Sequence, residues 1–292
     1  MRNVLLVCLV AFCVPASTVF GNTWLVGTGT DQDWYNTANW STGIVPVAGE
    51  VVGLNDAMDP GHGVVIDGLG GSRPAAACGY FGLAPWSKVT SSVLITNGAT
   101  LDTNSVFYVS CNTSDAAHGP TFINLTVNGG SVVNINGEQQ LGRYQGYAGG
   151  NILDQITINI DGAGTVWHSL AGRVMYIGWA TSAASTPLTM NVTDGALVKV
   201  DAVAGLQLNY SGNKDAVINL AGGTIQLAGD RSGAVAGYIT KKWLIGYNDA
   251  GTVQYDYNVT TPGYTTVWAI PEPATVALFG LGAMTLLRKS RK

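Results

Sequence analysis

Five times between residues 93 and 226 the chain passes through a short apolar strand, a glycine turn and a second short strand. The segments read VLITNGATL (93–101), LTVNGGSVV (125–133), ITINIDGAGTVW (156–167), LTMNVTDGALV (188–198) and VINLAGGTIQ (217–226). Their turn glycines Gly98, Gly129, Gly162, Gly195 and Gly222 are 31, 33, 33 and 27 residues apart. Asn-Gly and Asp-Gly pairs supply positive φ at little steric cost, so each segment alone fits a hairpin. Recurrence at a fixed interval argues otherwise. Repeats of this period stack, because one unit cannot bury its own apolar face.

A third element follows each turn, at Phe107–Ser110, Gln140–Arg143, Tyr176–Trp179, Leu206–Asn209 and Leu244–Tyr247. Three short strands every thirty-odd residues describe one coil of a β-solenoid. The expected fold is all-β, a right-handed parallel β-helix (β-solenoid) of about five to six three-strand coils. Composition agrees: 39 glycines and 11% charged residues disfavour helix and favour strand and turn. Stacking predicts two inner columns. One is Ile95, Val127, Ile158, Met190 and Ile218; the other is Leu101, Val132, Val166, Leu197 and Ile225. Alternation turns Thr126, Asn128, Thr157, Asn159, Thr189 and Asn191 outward.

The flanks differ from the repeat. Residues 1–21 read as a signal peptide, with Arg2 ahead of the apolar run Val4–Val14 and cleavage near Gly21. Cys8 and Cys13 leave with it. Cys78 and Cys111 remain, either as a disulfide between neighbouring coils or as two buried thiols. Residues 22–75 read as an N-terminal cap with the first strands, closed by Trp24, Trp34 and Trp40. The solenoid occupies 76–230, and 231–269 breaks the pattern as a C-terminal cap with strands at Val253–Val259 and Tyr264–Ala269.

The last 23 residues, IPEPATVALFGLGAMTLLRKSRK, join Pro271-Glu272-Pro273 to the uncharged run Thr275–Leu287 and the basic end Arg288, Lys289, Arg291 and Lys292. Thirteen apolar residues fall short of the roughly 20 that span comfortably, and the basic end would stay on the cytoplasmic side. The segment suits a transient transmembrane helix that is later cut. The tail resembles the PEP-CTERM sorting signal. That resemblance implies export, transient inner-membrane anchoring, and recognition near the Pro-Glu-Pro by an exosortase, a membrane transpeptidase, often alongside exopolysaccharide assembly. It says nothing about the activity of the cargo. Residues 22–271 carry nine Lys/Arg against 17 Asp/Glu, so an acidic cargo precedes a basic tail. The opening Trp24, Asp33-Trp34, Ala38-Asn39-Trp40-Ser41, Gly43 and Pro46 resembles the start of autotransporter-like repeat proteins. This implies a start of domain and no chemistry.

Little in the body suggests catalysis. Asp102, Asp154, Asp161, Asp194, Asp201, Asp215 and Asp230 are dispersed, and Asp161 and Asp194 sit in glycine turns. His62, His118 and His168 lack metal spacing, and the calcium-binding nonapeptide repeat is absent. No cofactor, metal or nucleic-acid partner is expected. Trp167 falls one residue after the inward Val166 and should point outward, beside His168 and Arg173, either to stack on a sugar ring or to be covered by the loop 180–187. Arg143, Tyr144 and Trp179 follow third strands and are further candidate glycan contacts. The expected function is a non-enzymatic, exported structural or adhesive protein of the surface or matrix, in contact with polysaccharide. The alternatives are a carbohydrate-active enzyme and a carbohydrate-binding module on the same β-helix.

Overall fold

The computed structural model describes residues 22–24, 31–54, 63–83, 90–111, 122–144, 155–170, 172–179, 187–202, 205–210 and 215–272, with backbone alone at 22, 23, 90, 111, 143 and 144. The signal peptide, the apolar run of the tail, Pro273 and the basic end Arg288–Lys292 lie outside these residues, as do His62, His118 and Asp154.

Two strands, β1 (Asn22–Thr23) and β2 (Val51–Leu54), precede a first triplet, β3 (Val64–Asp67), β4 (Ala76–Cys78) and β5 (Tyr80–Leu83). Four regular triplets follow. They are β6 (Thr90–Thr96), β7 (Thr100–Thr103) and β8 (Val106–Cys111); β9 (Phe122–Val127), β10 (Val132–Ile135) and β11 (Glu138–Tyr144); β12 (Gln155–Asp161), β13 (Val166–Ser169) and β14 (Met175–Ile177); β15 (Leu188–Thr193), β16 (Leu197–Val200) and β17 (Leu206–Leu208). The chain ends in β18 (Ala216–Ala221), β19 (Thr224–Ala228), helix α1 (Ser232–Thr240), β20 (Leu244–Gly246), β21 (Gly251–Tyr257) and β22 (Tyr264–Pro271). The third strands build a seven-stranded sheet, β1-β2-β5-β8-β11-β14-β17. The first and second strands build a 15-stranded sheet that runs β3-β6-β9-β12-β15-β18-β20-β21-β22-β19-β16-β13-β10-β7-β4.

From β1 through β20 every pairing is parallel, each strand with its counterpart one coil away. The glycine segments are therefore corners of a solenoid of about four regular turns, not hairpins. All five turn glycines hold positive φ, from 62° at Gly129 to 88° at Gly162 and Gly222. Close stacking also demands glycine at Gly137, the corner between β10 and β11. A Cβ there would lie 1.1 Å from the carbonyl oxygen of Ser105 one coil earlier.

The inner columns differ from the predicted ones in register. Val64, Val93, Leu125, Ile158, Met190, Ile218 and Leu244 stack as one column. Ile66, Ile95, Val127, Ile160, Val192 and Leu220 form its neighbour. The predicted first column mixed these two, a slip of two residues that leaves every side chain on the correct face. The second column contains a slip of one, which reverses the face. It reads Ala76, Leu101, Val133, Trp167, Val198 and Ile225, all buried, while Val132, Val166 and Leu197 lie only half-buried on the other face. The turns vary in length, and Val132-Val133 offers an apolar residue at both parities, so counting from glycine misplaces the strand. Leu244–Tyr247 is also reassigned. Leu244 pairs with Ile218 in the large sheet, because α1 follows β19 where a third strand would continue the small one. That substitution ends the regular coils, of which there are about four.

The core is continuous along the rod and carries an aromatic spine. Trp34 stacks on Phe81 (centroids 6.4 Å), Phe81 on Phe107 (4.7 Å), and Phe107 meets Trp167 edge-on at 5.1 Å. Each fully buried large side chain contributes about 1.5–3 kcal/mol. Trp167 donates its indole N–H to Gln139 Oε1 at 2.9 Å across the core. That bond satisfies the oxygen of a fully buried amide in the column Phe107, Gln139, Met175 and Leu206, while the Gln139 amide nitrogen has no hydrogen-bond partner.

The two ends close differently. At the N-terminus Trp24, Trp34 and Trp40 pack edge to face at 4.6–5.0 Å over the open core. Segment Gln32–Trp34 hydrogen-bonds along the free edge of β3, Trp34 N donating to Val65 O and Val65 N to Gln32 O. At the C-terminus β20 pairs antiparallel with β21, β21 with β22, and β22 with β19. The hairpin thus spans from one face of the coil to the other and joins them into a single sheet.

Candidate functional site

Apart from the half-buried row Val132, Val166 and Leu197, the outward faces of the large sheet are mostly polar, and their polar rows are internally bonded. Asn159, Asn191 and Asn219 occupy one register row. Asn191 Nδ2 donates to Asn159 Oδ1 (2.9 Å), and Asn219 Nδ2 donates to Asn191 Oδ1 (3.1 Å) and to Asn248 Oδ1 (2.9 Å). Thr193 donates to Asp161 in the neighbouring row. These residues satisfy one another along the axis, which fixes register.

A second outward row holds Asp102, Asn134, His168, Lys199 and Gln226. His168 Nε2 lies 2.7 Å from Asp201 Oδ2, Tyr264 donates its hydroxyl to Asp201 Oδ1 at 2.7 Å, and Lys199 Nζ lies 3.4 Å from the same oxygen. Burial raises the Asp201 pKa, but hydrogen bonds from His168 and Tyr264 outweigh it and hold the carboxyl below its ordinary range. Its bond to that carboxylate, then burial, holds the Tyr264 phenol above its ordinary range. Both carboxylate oxygens are engaged, and Tyr264 begins β22. The network therefore fastens the closing hairpin to the coils beneath it. Two shallow clefts lie on this side. One, of about 420 Å³, is lined by Asp102, Asn104, Asn134 and Asn136. The other, of about 390 Å³, lies between Leu197, Gln226, Thr260 and Trp268. Among the described residues no group of three or more His, Cys, Asp or Glu is placed to hold a metal ion.

The small sheet carries a different surface. Tyr108, Gln140, Tyr176 and Gln207 form its outward row. Beside them Trp179 and Tyr210 follow β14 and β17 at equivalent places in successive coils, Ile177 pairing with Leu208 and Asn209 N donating to Ile177 O. The rings converge. Tyr176 lies 4.9 Å from Trp179 and 5.0 Å from Tyr210, and Trp179 lies 5.7 Å from Tyr210. Burial, then the negative charge of Glu138 and the neighbouring Tyr210, raises the pKa of the Tyr176 phenol. Gln140 Nε2 donates to Glu138.

The residues singled out from sequence separate accordingly. Trp167 is corrected: it is wholly buried in the core and faces away from His168, and Arg173 is exposed beyond the end of β13. Trp179 does join a surface aromatic group, and the backbone of Arg143 and Tyr144 ends β11 one coil away. Cys78 is a free thiol, fully buried on β4 of the large sheet, with its pKa pushed up to about 12 by burial. Cys111 ends β8 of the small sheet, its backbone in register with Tyr144, and Cys78 lies beside Thr103; the two cysteines occupy different sheets rather than adjacent coils of one. Tyr176 and Tyr210 were not singled out. The signal was present: aligned on their last apolar residue, the third strands place Gln140, Tyr176 and Gln207 in one outward file.

The closing hairpin leads straight into the tail. Gly251 pairs with Pro271, and Glu272 N donates to Ala250 O at 3.2 Å, so the Pro-Glu-Pro triplet starts where β22 stops. Residues 269–292 match the PEP-CTERM protein-sorting motif. The PEP-CTERM motif implies an exported protein sorted by an exosortase to the cell surface, and its first three residues are the last three of β22. Neither the curated proteins nor the solved structures yield a significant match to the chain. Among the described residues no helix is long and apolar enough to cross a membrane.

Proposed function

We propose that this protein is a non-enzymatic structural or adhesive rod of the cell surface or extracellular matrix, held transiently in the inner membrane by its tail and associated with exopolysaccharide through its sides. The observation that carries this reading is the junction at Pro271. A sorting signal begins at the last residues of a strand that closes a solenoid, so the cargo is a stacked rod delivered as one body. The tryptophan-rich, autotransporter-like opening serves as a plug. The titratable groups His168, Lys199, Asp201 and Tyr264 fasten the closing hairpin to the coils.

The test is to fractionate cells that express the full chain with and without an exosortase, and to sequence the C-terminal peptide of the surface form. A terminus near Pro273, present only with the exosortase, and co-sedimentation with matrix polysaccharide without release of new reducing ends, are expected. An intact Arg288–Lys292 end on the surface form would count against sorting. Released reducing ends would favour the carbohydrate-active enzyme.

A further inference from the structure

We infer that Tyr176, Trp179 and Tyr210 form a binding site for a neutral polysaccharide chain that lies along the long axis of the rod. This rests on the polysaccharide contact proposed above and names where it occurs. The ring centroids lie 4.9–5.7 Å apart, and Tyr210 is 42% exposed. Ring planes inclined at 43°, 50° and 85° make an uneven aromatic surface and not a flat apolar platform. An amide and a carboxylate border it. Gln207 shares a register row with Tyr176, and Glu138 is close enough to raise the Tyr176 pKa.

This combination matches pyranose chemistry. C–H faces of a sugar stack on aromatic rings, and its hydroxyls both donate to and accept from amide and carboxylate oxygens and nitrogens. An apolar peptide or acyl chain would make no use of the polar border. Equivalent positions of successive coils carry Trp179 and Tyr210, so the contacts repeat along the axis at the strand spacing of about 4.8 Å. A repeating ligand exploits that; a monosaccharide does not. Charge selects the class of polymer. Residues 22–271 have 17 acidic against nine basic side chains, and the aromatic group itself is bordered by Glu138, so a uronate or sulfated chain is repelled.

The experiment is affinity electrophoresis of the full chain in gels containing a soluble β-1,3-glucan, a soluble cellulose derivative or dextran, with polygalacturonate as the anionic comparison. Wild type is expected to be retarded by at least one neutral polymer. Tyr210→Ala and Trp179→Ala should each weaken that retardation about three- to tenfold, and together by more than tenfold, with unchanged melting curves. Tyr210→Phe should bind as wild type, since the ring and not the hydroxyl does the stacking. If Tyr210→Ala melts early, Tyr210→His, which shrinks the ring without emptying the site, serves as the second variant with the same expected direction. Retardation of wild type that both alanine variants retain would overturn this site and leave the polysaccharide contact standing elsewhere on the rod. Retardation by polygalacturonate alone would overturn the neutral class. No retardation of wild type by any polymer would overturn the site and the proposed contact together.

Discussion

The N-terminal end of the rod is closed by side chains and the C-terminal end by backbone. Three tryptophans plug the first coil, oriented by polar contacts around them. Asn39, almost fully buried, donates to Asp31 Oδ1 and Asp33 O, and Trp40 donates its indole N–H to Trp34 O at 2.8 Å. Arg73 grips Asp33 through two 2.8 Å bonds and lies over Tyr35. The far end needs no such plug, because β21 and β22 carry hydrogen-bonded sheet across the opening. Exposed strand edges invite unwanted pairing. One end covers its edge with a strap, and the other converts the edge into a turn of sheet. The difference lies in placement: Trp24, Trp34 and Trp40 are buried together, while Tyr255 and Tyr257 of β21 are exposed and the closure there rests on the ladder.

The contrast makes graded expectations. Trp34→Ala empties the plug and should cost about 3–5 kcal/mol in denaturant unfolding; a loss under 1 kcal/mol would mean that the tryptophans do not close the end. Trp167→Phe keeps the aromatic spine but strands the Gln139 amide oxygen, and should cost about 1–3 kcal/mol. Adding Gln139→Met should recover part of this, and the two costs should not be additive in a double-mutant cycle. At the other end, Asp201→Asn should loosen the hairpin by about 1–2 kcal/mol, below the full value for a charged hydrogen bond because Asp201 remains partly exposed.

That contribution has a defined pH window. The folded pKa of Asp201 is depressed, so its stabilisation is present above the unfolded value of about 3.9 and is lost as pH falls through the lower folded value. The raised Tyr264 pKa acts at the opposite limit: its share is present below about 10 and is lost as pH rises through the folded value. The protection of β22 against hydrogen exchange, relative to the intrinsic rate at each pH, should therefore fall below about pH 4 in wild type and show a flatter acid limb in Asp201→Asn. Arg73→Ala, which removes a half-exposed pair, should cost the least, about 0.2–1 kcal/mol. Native Cys78 should resist alkylation until unfolding, since its thiol is buried and poorly ionised.

The coil was legible in the sequence because period and glycine spacing report stacking directly. Register was not. Ile95 and Val127 were paired correctly, but Val132-Val133 and Val166-Trp167 each present apolar residues at consecutive places, and the turns before them differ in length. Only cross-coil hydrogen bonds decide which one faces in. That ambiguity sent Trp167 to the surface on paper and to the core in fact. Trp179 was found because it follows a third strand. Tyr176 and Tyr210 escaped because Tyr176 lies within a third strand read for its apolar residues, and Tyr210 just beyond one. Asp201 and Tyr264, 63 positions apart, meet only because an antiparallel hairpin turns back over parallel coils, a reversal that no repeat announces.

The strand that runs into the sorting signal is not an edge. β22 is flanked on both sides, matched to seven residues of β21 and five of β19. Tension applied through the tail would enter this strand along its own length. It would first reach residues 269–271, which pair with β21 alone, and pass from there into residues 264–268, held between β21 and β19. The length gripped on both sides lies behind the point of pull, and the coils take up the load through it.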